Sequence, residues 1–97
     1  MEETVRTEIA EALDLLAAQE VWNEQVWRRC YDLVTRNITE DPLLVYVQDD
    51  LTHYSGRRLF RSAPVAADFN RYRQEFRDIA TAFRSRMSLT EYKKAYE

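Results

Sequence analysis

Ninety-seven residues, 45% of them hydrophobic and 12% aromatic, supply one hydrophobic core but not two, so a single helical domain spanning residues 1–97 is expected and a disordered chain is excluded. The formal net charge of −3 hides a split, because residues 1–56 carry 12 acidic and 4 basic side chains, net −8, and residues 57–97 carry 5 acidic and 10 basic, net +5. The single cysteine, Cys30, excludes an internal disulfide and a cysteine-based zinc site within one chain.

Val5, Ile9, Ala12, Leu13 and Leu16 fall within about 100° of arc at helical spacing, with Glu8, Glu11 and Asp14 opposite, which predicts a first amphipathic helix. Farther on, Trp22, Val26, Cys30 and Leu33 form one stripe and Trp27, Tyr31, Val34 and Ile38 another. Together they cover about half of a second helix, which is expected to meet two neighbours and to be central. Asn23 is placed as its N-cap, with Trp22 packing on Trp27 as a hydrophobic staple; one continuous helix is the alternative. Cys30, between Val26 and Val34, reads as a buried thiol acting as a small hydrophobe.

Asp41-Pro42 has the form of an N-cap followed by proline in the first turn, so residues 43–54 are read as helix ending near Gly56. Leu43-Leu44-Val45-Tyr46-Val47 would also suit a short buried strand. From Val65 to Met87 the seam Val65, Phe69, Tyr72, Phe76, Ile79, Ala80, Phe83 and Met87 predicts a six-turn helix, for which Ser62-Ala63-Pro64 offers a start. Ser88-Leu89-Thr90-Glu91 has the pattern of a capping box opening a short last helix that buries Leu89, Tyr92 and Tyr96. With one glycine and two prolines, the punctuation of an all-β fold is missing. The expected architecture is all-α, a small bundle of four to five helices with one long C-terminal amphipathic helix. The alternative is α+β, with a strand or hairpin in residues 43–62.

Three groups of residues carry candidate chemistry. Arg73, Arg77 and Arg84, at i, i+4 and i+11, form a stripe about 40° wide beside the apolar seam. None of the three has an acidic residue three or four positions away, so each bridges to the acidic first helix, snorkels over apolar surface into solvent, or meets another protein or phosphate. Arg57, Arg58 and Arg61 around Leu59-Phe60 would join them in a nucleic-acid surface. Against that stand the anionic chain and the assignment of Phe69, Tyr72 and Phe76 to the core. Trp22 and Trp27 lie about 140° apart, so Trp22 is the candidate for an interface anchor. Asp49, Asp50 and His53 share one side of a helix, a spacing open to a metal or an acid–base pair. Neither a further ligand nor a nucleophile with an oxyanion site can be assembled around them, and Ser55 is the nearest hydroxyl.

The sequence therefore points to a non-enzymatic protein–protein interaction module, an adaptor, inhibitor or accessory subunit without a cofactor, catalytic residues or metal. Its partner is another protein or a second copy of itself, recognised through Arg57, Arg58, Arg61, Arg73, Arg77, Arg84 and Trp22. In the homodimer version the acidic first helix of one chain lies on the arginine stripe of the other; nucleic acid is the alternative partner. Four glutamates and no apolar run in Met1–Glu11, with no later segment of bilayer-spanning length, lead to the expectation of a cytoplasmic protein without a membrane partner.

Overall fold

A computed structural model describes residues 2–39, 41–53 and 66–96. Five helices follow one another, α1 (Glu3–Ala18), α2 (Glu24–Arg36), α3 (Pro42–His53), α4 (Ala66–Arg84) and α5 (Leu89–Tyr96), and no strand occurs among the described residues. The fold is an all-α bundle, and residues 43–53, the ambiguous stretch, are helical. Gly56, the Ser62-Ala63-Pro64 start signal, the remainder of the hairpin alternative and Arg57, Arg58 and Arg61 lie outside the described residues.

The helix boundaries have local causes. Asn23 ends any continuity between α1 and α2: its side-chain oxygen accepts from the backbone N–H groups of Gln25 (3.0 Å) and Val26 (3.2 Å). Trp22 and Trp27 close the staple above it with ring centroids 6.3 Å apart. At α3, Asp41 caps through a 3.0 Å bond from the Leu43 N–H, and Pro42 occupies the first helical position, where its missing N–H costs nothing. The capping box at α5 is reciprocal: the Glu91 N–H donates to Ser88 Oγ at 3.1 Å, and the Ser88 N–H donates to Glu91 Oε1 at 2.9 Å. Those two bonds hold the Glu91 carboxyl below the usual carboxylate range.

The end of α4 differs from the expectation. The helix stops at Arg84, three residues before Met87, because Arg86 turns into the left-handed region at φ 57°. The Met87 N–H then reaches back to the Ala82 carbonyl (2.9 Å) and the Arg86 N–H to that of Phe83 (3.3 Å), a Schellman motif. Met87 still packs on the core, as the seam required, but from beyond the helix.

Among the described residues the main helix packing runs α1, α2, α3, α5, α4 and back to α1, so the bundle closes on itself. The second helix does meet two neighbours, α1 and α3, but it is no more central than the rest. Inside the ring lie Ile9, Leu13 and Leu16 of α1, Trp27, Cys30 and Val34 of α2, and Leu43, Leu44, Val47 and Leu51 of α3. The core is completed by Phe69, Phe76, Ile79, Ala80 and Phe83 of α4 and by Tyr92 of α5. Val5, Ala12, Tyr72 and Leu89 are half-buried at its edge, and Tyr96 stays exposed while packing on Tyr92 at 5.2 Å. Fully buried Leu and Phe side chains contribute about 1.5–3 kcal/mol each, so this cluster is the main source of stability. Among the described residues no helix is long and apolar enough to cross a membrane.

Candidate functional site

The arginine stripe of α4 is largely engaged within the chain. Arg84 pairs with Asp14 of α1 at 2.6 Å. Arg73 lies over the Phe69 ring at 4.5 Å and donates to the backbone carbonyls of Gln19 (2.9 Å) and Glu20 (3.4 Å), just past the C-terminal end of α1. A helix end gathers partial negative charge and unsatisfied carbonyls, and α1 has no basic residue in its own last turn, so α4 supplies the missing cation. The exchange is mutual. Arg6 of α1 donates to the Phe83 carbonyl in the last turn of α4 at 3.4 Å and reaches Asp41 at 3.7 Å. Arg77 is exposed between the two engaged arginines.

At the opposite side, α3, α4 and α5 bring acidic and phenolic groups together. Asp50 of α3 hydrogen-bonds the Glu75 carboxyl of α4, and Tyr46 Oη donates to Glu75 Oε1 at 3.0 Å. Burial, the bond to Glu75 and the charges of Glu75 and Asp49 push the Asp50 carboxyl up to about 8. Burial, together with the same acidic surroundings, also raises the Tyr92 hydroxyl. Asp49, Asp50 and His53 share one cleft of about 450 Å³ with Thr52, as their spacing implied. That cleft sits where α3 ends, so the helix presents carbonyls to it rather than the N–H groups that would hold an oxyanion. Among the described residues no group of three or more His, Cys, Asp or Glu side chains is arranged to hold a metal ion.

Trp27 is buried, and its indole N–H donates to the Leu51 carbonyl in the last described turn of α3 at 2.9 Å. Trp22 is half-buried, packed edge-on against Phe69 at 5.9 Å with its N–H on Glu24 Oε1 at 3.3 Å. It belongs to the core's rim.

A surface feature that the sequence patterns did not single out lies between α1 and α2. Glu8, Glu11, Ala12 and Leu15 stand at i, i+3, i+4 and i+7 on α1, and Arg29, Asp32, Leu33 and Arg36 repeat that spacing on α2. The two rows line an open groove of about 510 Å³. Its floor is Ala12, Leu15 and Leu33, with Leu15 50% exposed. One wall carries two glutamates and the other two arginines flanking Asp32, all exposed. The signal was present in Leu15, the one large apolar residue of α1 off the seam, and in the repeated spacing on α2.

No family model matches this chain, and neither the curated proteins nor the solved structures contain a significant match to it. Function has to be argued from the groove and the charged groups themselves.

Proposed function

We propose that the chain is a non-enzymatic protein–protein interaction module whose recognition face is the α1–α2 groove. The observation that carries this is Leu15, half exposed on an apolar floor between charged walls, the arrangement of an interface core inside a polar rim. The cleft at Asp49, Asp50 and His53 supports catalysis less well, since it opens at a helix C-terminus and, among the described residues that line it, Thr52 alone offers a hydroxyl. Direct nucleic-acid binding is the second class. It is weakened because two of its six arginines, Arg73 and Arg84, spend their guanidinium groups on α1.

A photo-crosslinking amino acid placed at Leu15, with one at the exposed Val45 of α3 as control, tests the assignment in native lysate. The expected result is protein adducts at position 15 that are absent at position 45. Equal labelling at both positions, or none, sinks it. A parallel titration with generic duplex and single-stranded DNA at low salt is expected to give no binding.

A further inference from the structure

The groove's two walls make it complementary to itself. We infer that its occupant is a second copy of this chain: two molecules pack groove to groove about a two-fold axis running along the α1–α2 hairpin, α1 of each against α2 of the other.

This inference rests on the interaction-module assignment above and adds the partner. Five residues, 19–23, join α1 to α2, so the helices run antiparallel and Glu8 stands at the level of Arg36, Leu15 at the level of Arg29. A two-fold axis parallel to the helices keeps those levels and exchanges the walls. Glu8 and Glu11 of one copy then face the Arg36 end of the other, the Arg29 stem covers Leu15, and Leu33 lies about one helical turn along the seam from Leu15. Turning the axis across the helices would instead set α1 on α1, bringing four glutamates together, and α2 on α2. Charge therefore selects one of the two symmetric arrangements.

The same walls are available for this pairing. None of Glu8, Glu11, Arg29 and Arg36 forms an ion pair or side-chain hydrogen bond among the described residues, and all four are exposed. The α4 arginines are less suited to the role, because Arg73 and Arg84 already meet their own α1. Asp32, between the two arginines, leaves the basic wall with one net positive charge against two negative, so attraction outweighs repulsion by a modest margin. Helices of 16 and 13 residues span about 24 and 20 Å, which places the footprint at the low end of specific interfaces. Pairing through exposed charges should weaken several-fold by about 0.5 M salt.

The test is sedimentation of the full chain at low salt over roughly a hundredfold range of concentration, for wild type and two charge-reversed doubles. Glu8→Lys/Glu11→Lys makes both walls basic, and Arg29→Glu/Arg36→Glu makes both acidic. Far-UV circular dichroism and urea unfolding first confirm that each folds; a variant that does not is replaced by its single Glu11→Lys or Arg29→Glu counterpart. Expected is a reversible dimer for wild type, monomers for each double alone, and a one-to-one heterodimer when the two doubles are mixed. A wild-type chain that stays monomeric throughout overturns self-association, while a dimer indifferent to both reversals, or a mixture that fails to pair, overturns the groove-to-groove arrangement. A monomeric wild type that still crosslinks another protein through position 15 removes only the second copy as occupant. Loss of both signals removes the recognition face as well.

Discussion

Replacing Asp50 by Asn isolates the proton shared between α3 and α4. With its folded-state pKa raised to about 8, Asp50 keeps its proton at neutral pH and can donate it to Glu75. The unfolded chain releases that proton near the ordinary value of 3.8. The native state therefore binds more protons than the unfolded state between about pH 4 and pH 8. The stabilisation is complete below that window, falls as pH rises through it, and is gone above about 8. Each pKa unit corresponds to about 1.4 kcal/mol, giving a ceiling near 6 kcal/mol, but Asp50 is only half-buried and water screens the repulsion, so about 1–2 kcal/mol is expected in practice. Burial, Glu75 on α4 and Asp49 on α3 set this balance, with Tyr46 donating to the same Glu75 carboxyl and Lys93 over the Tyr46 ring at 5.7 Å. An asparagine amide donates to Glu75 at every pH and never ionises. Urea unfolding followed by tryptophan fluorescence at pH 5, 7 and 9 should show Asp50→Asn close to wild type at pH 5 and more stable by about 1–2 kcal/mol at pH 9. Parallel pH profiles for the two proteins would refute the shared proton.

Trp27→Phe removes the donor to the Leu51 carbonyl and part of a buried ring, so a loss of about 2–3 kcal/mol is expected. Trp22→Phe, at the half-buried rim, should cost less than about 1 kcal/mol, and equal losses in urea titrations would contradict the placement of the two rings. Arg86→Gly relieves a left-handed residue worth about 1 kcal/mol and gives up only the exposed 2.8 Å pair with Glu3. Its midpoint should rise by a few degrees in a thermal melt; a fall would mean that the pair outweighs the backbone strain. Cys30 is fully buried and its thiol is pushed up to about 12 by burial, so a disulfide reagent at pH 8 should label it only at the rate the chain opens. Immediate stoichiometric labelling would place the thiol outside the core.

Much of this architecture was legible because its determinants are local. Asn23, Asp41-Pro42 and Ser88-Leu89-Thr90-Glu91 act on N–H groups two or three residues away, and the α4 seam from Phe69 to Phe83 repeats at helical spacing, so each could be read without tertiary information. The end of α4 was not legible, since its C′ position is taken by Arg86 where glycine is usual, and the hydrophobic period runs on to Met87. The partners of Arg73 and Arg84 were half legible. The absence of an acidic neighbour at three or four positions showed that the partners were distant, but a backbone carbonyl at Gln19, 54 residues away, leaves no trace in the pattern of charged residues. The α1–α2 groove escaped because its apolar content is only Ala12, Leu15 and Leu33, too sparse to register beside the core stripes until the two helices are laid together.

The charge split between the halves is better understood as a division of labour than as two opposed faces. Arg73 and Arg84 from the basic half neutralise the C-terminal region of α1, and Arg86 pairs with Glu3 near its N-terminus, so part of the +5 is spent holding α4 antiparallel to α1. What α1 keeps for the outside is Glu8 and Glu11, on the flank that turns toward α2. The positive charge opposite them, Arg29 and Arg36, comes from the acidic half, where four basic residues are easily overlooked among twelve acidic ones. Net charge by segment draws attention to the α4 arginines, of which Arg73 and Arg84 are engaged on α1. Local sign alternation across two adjacent helices instead marks Arg29 and Arg36, and in the proposed self-association an acidic α1 that repels another α1 while attracting another α2 sets the orientation of the second copy.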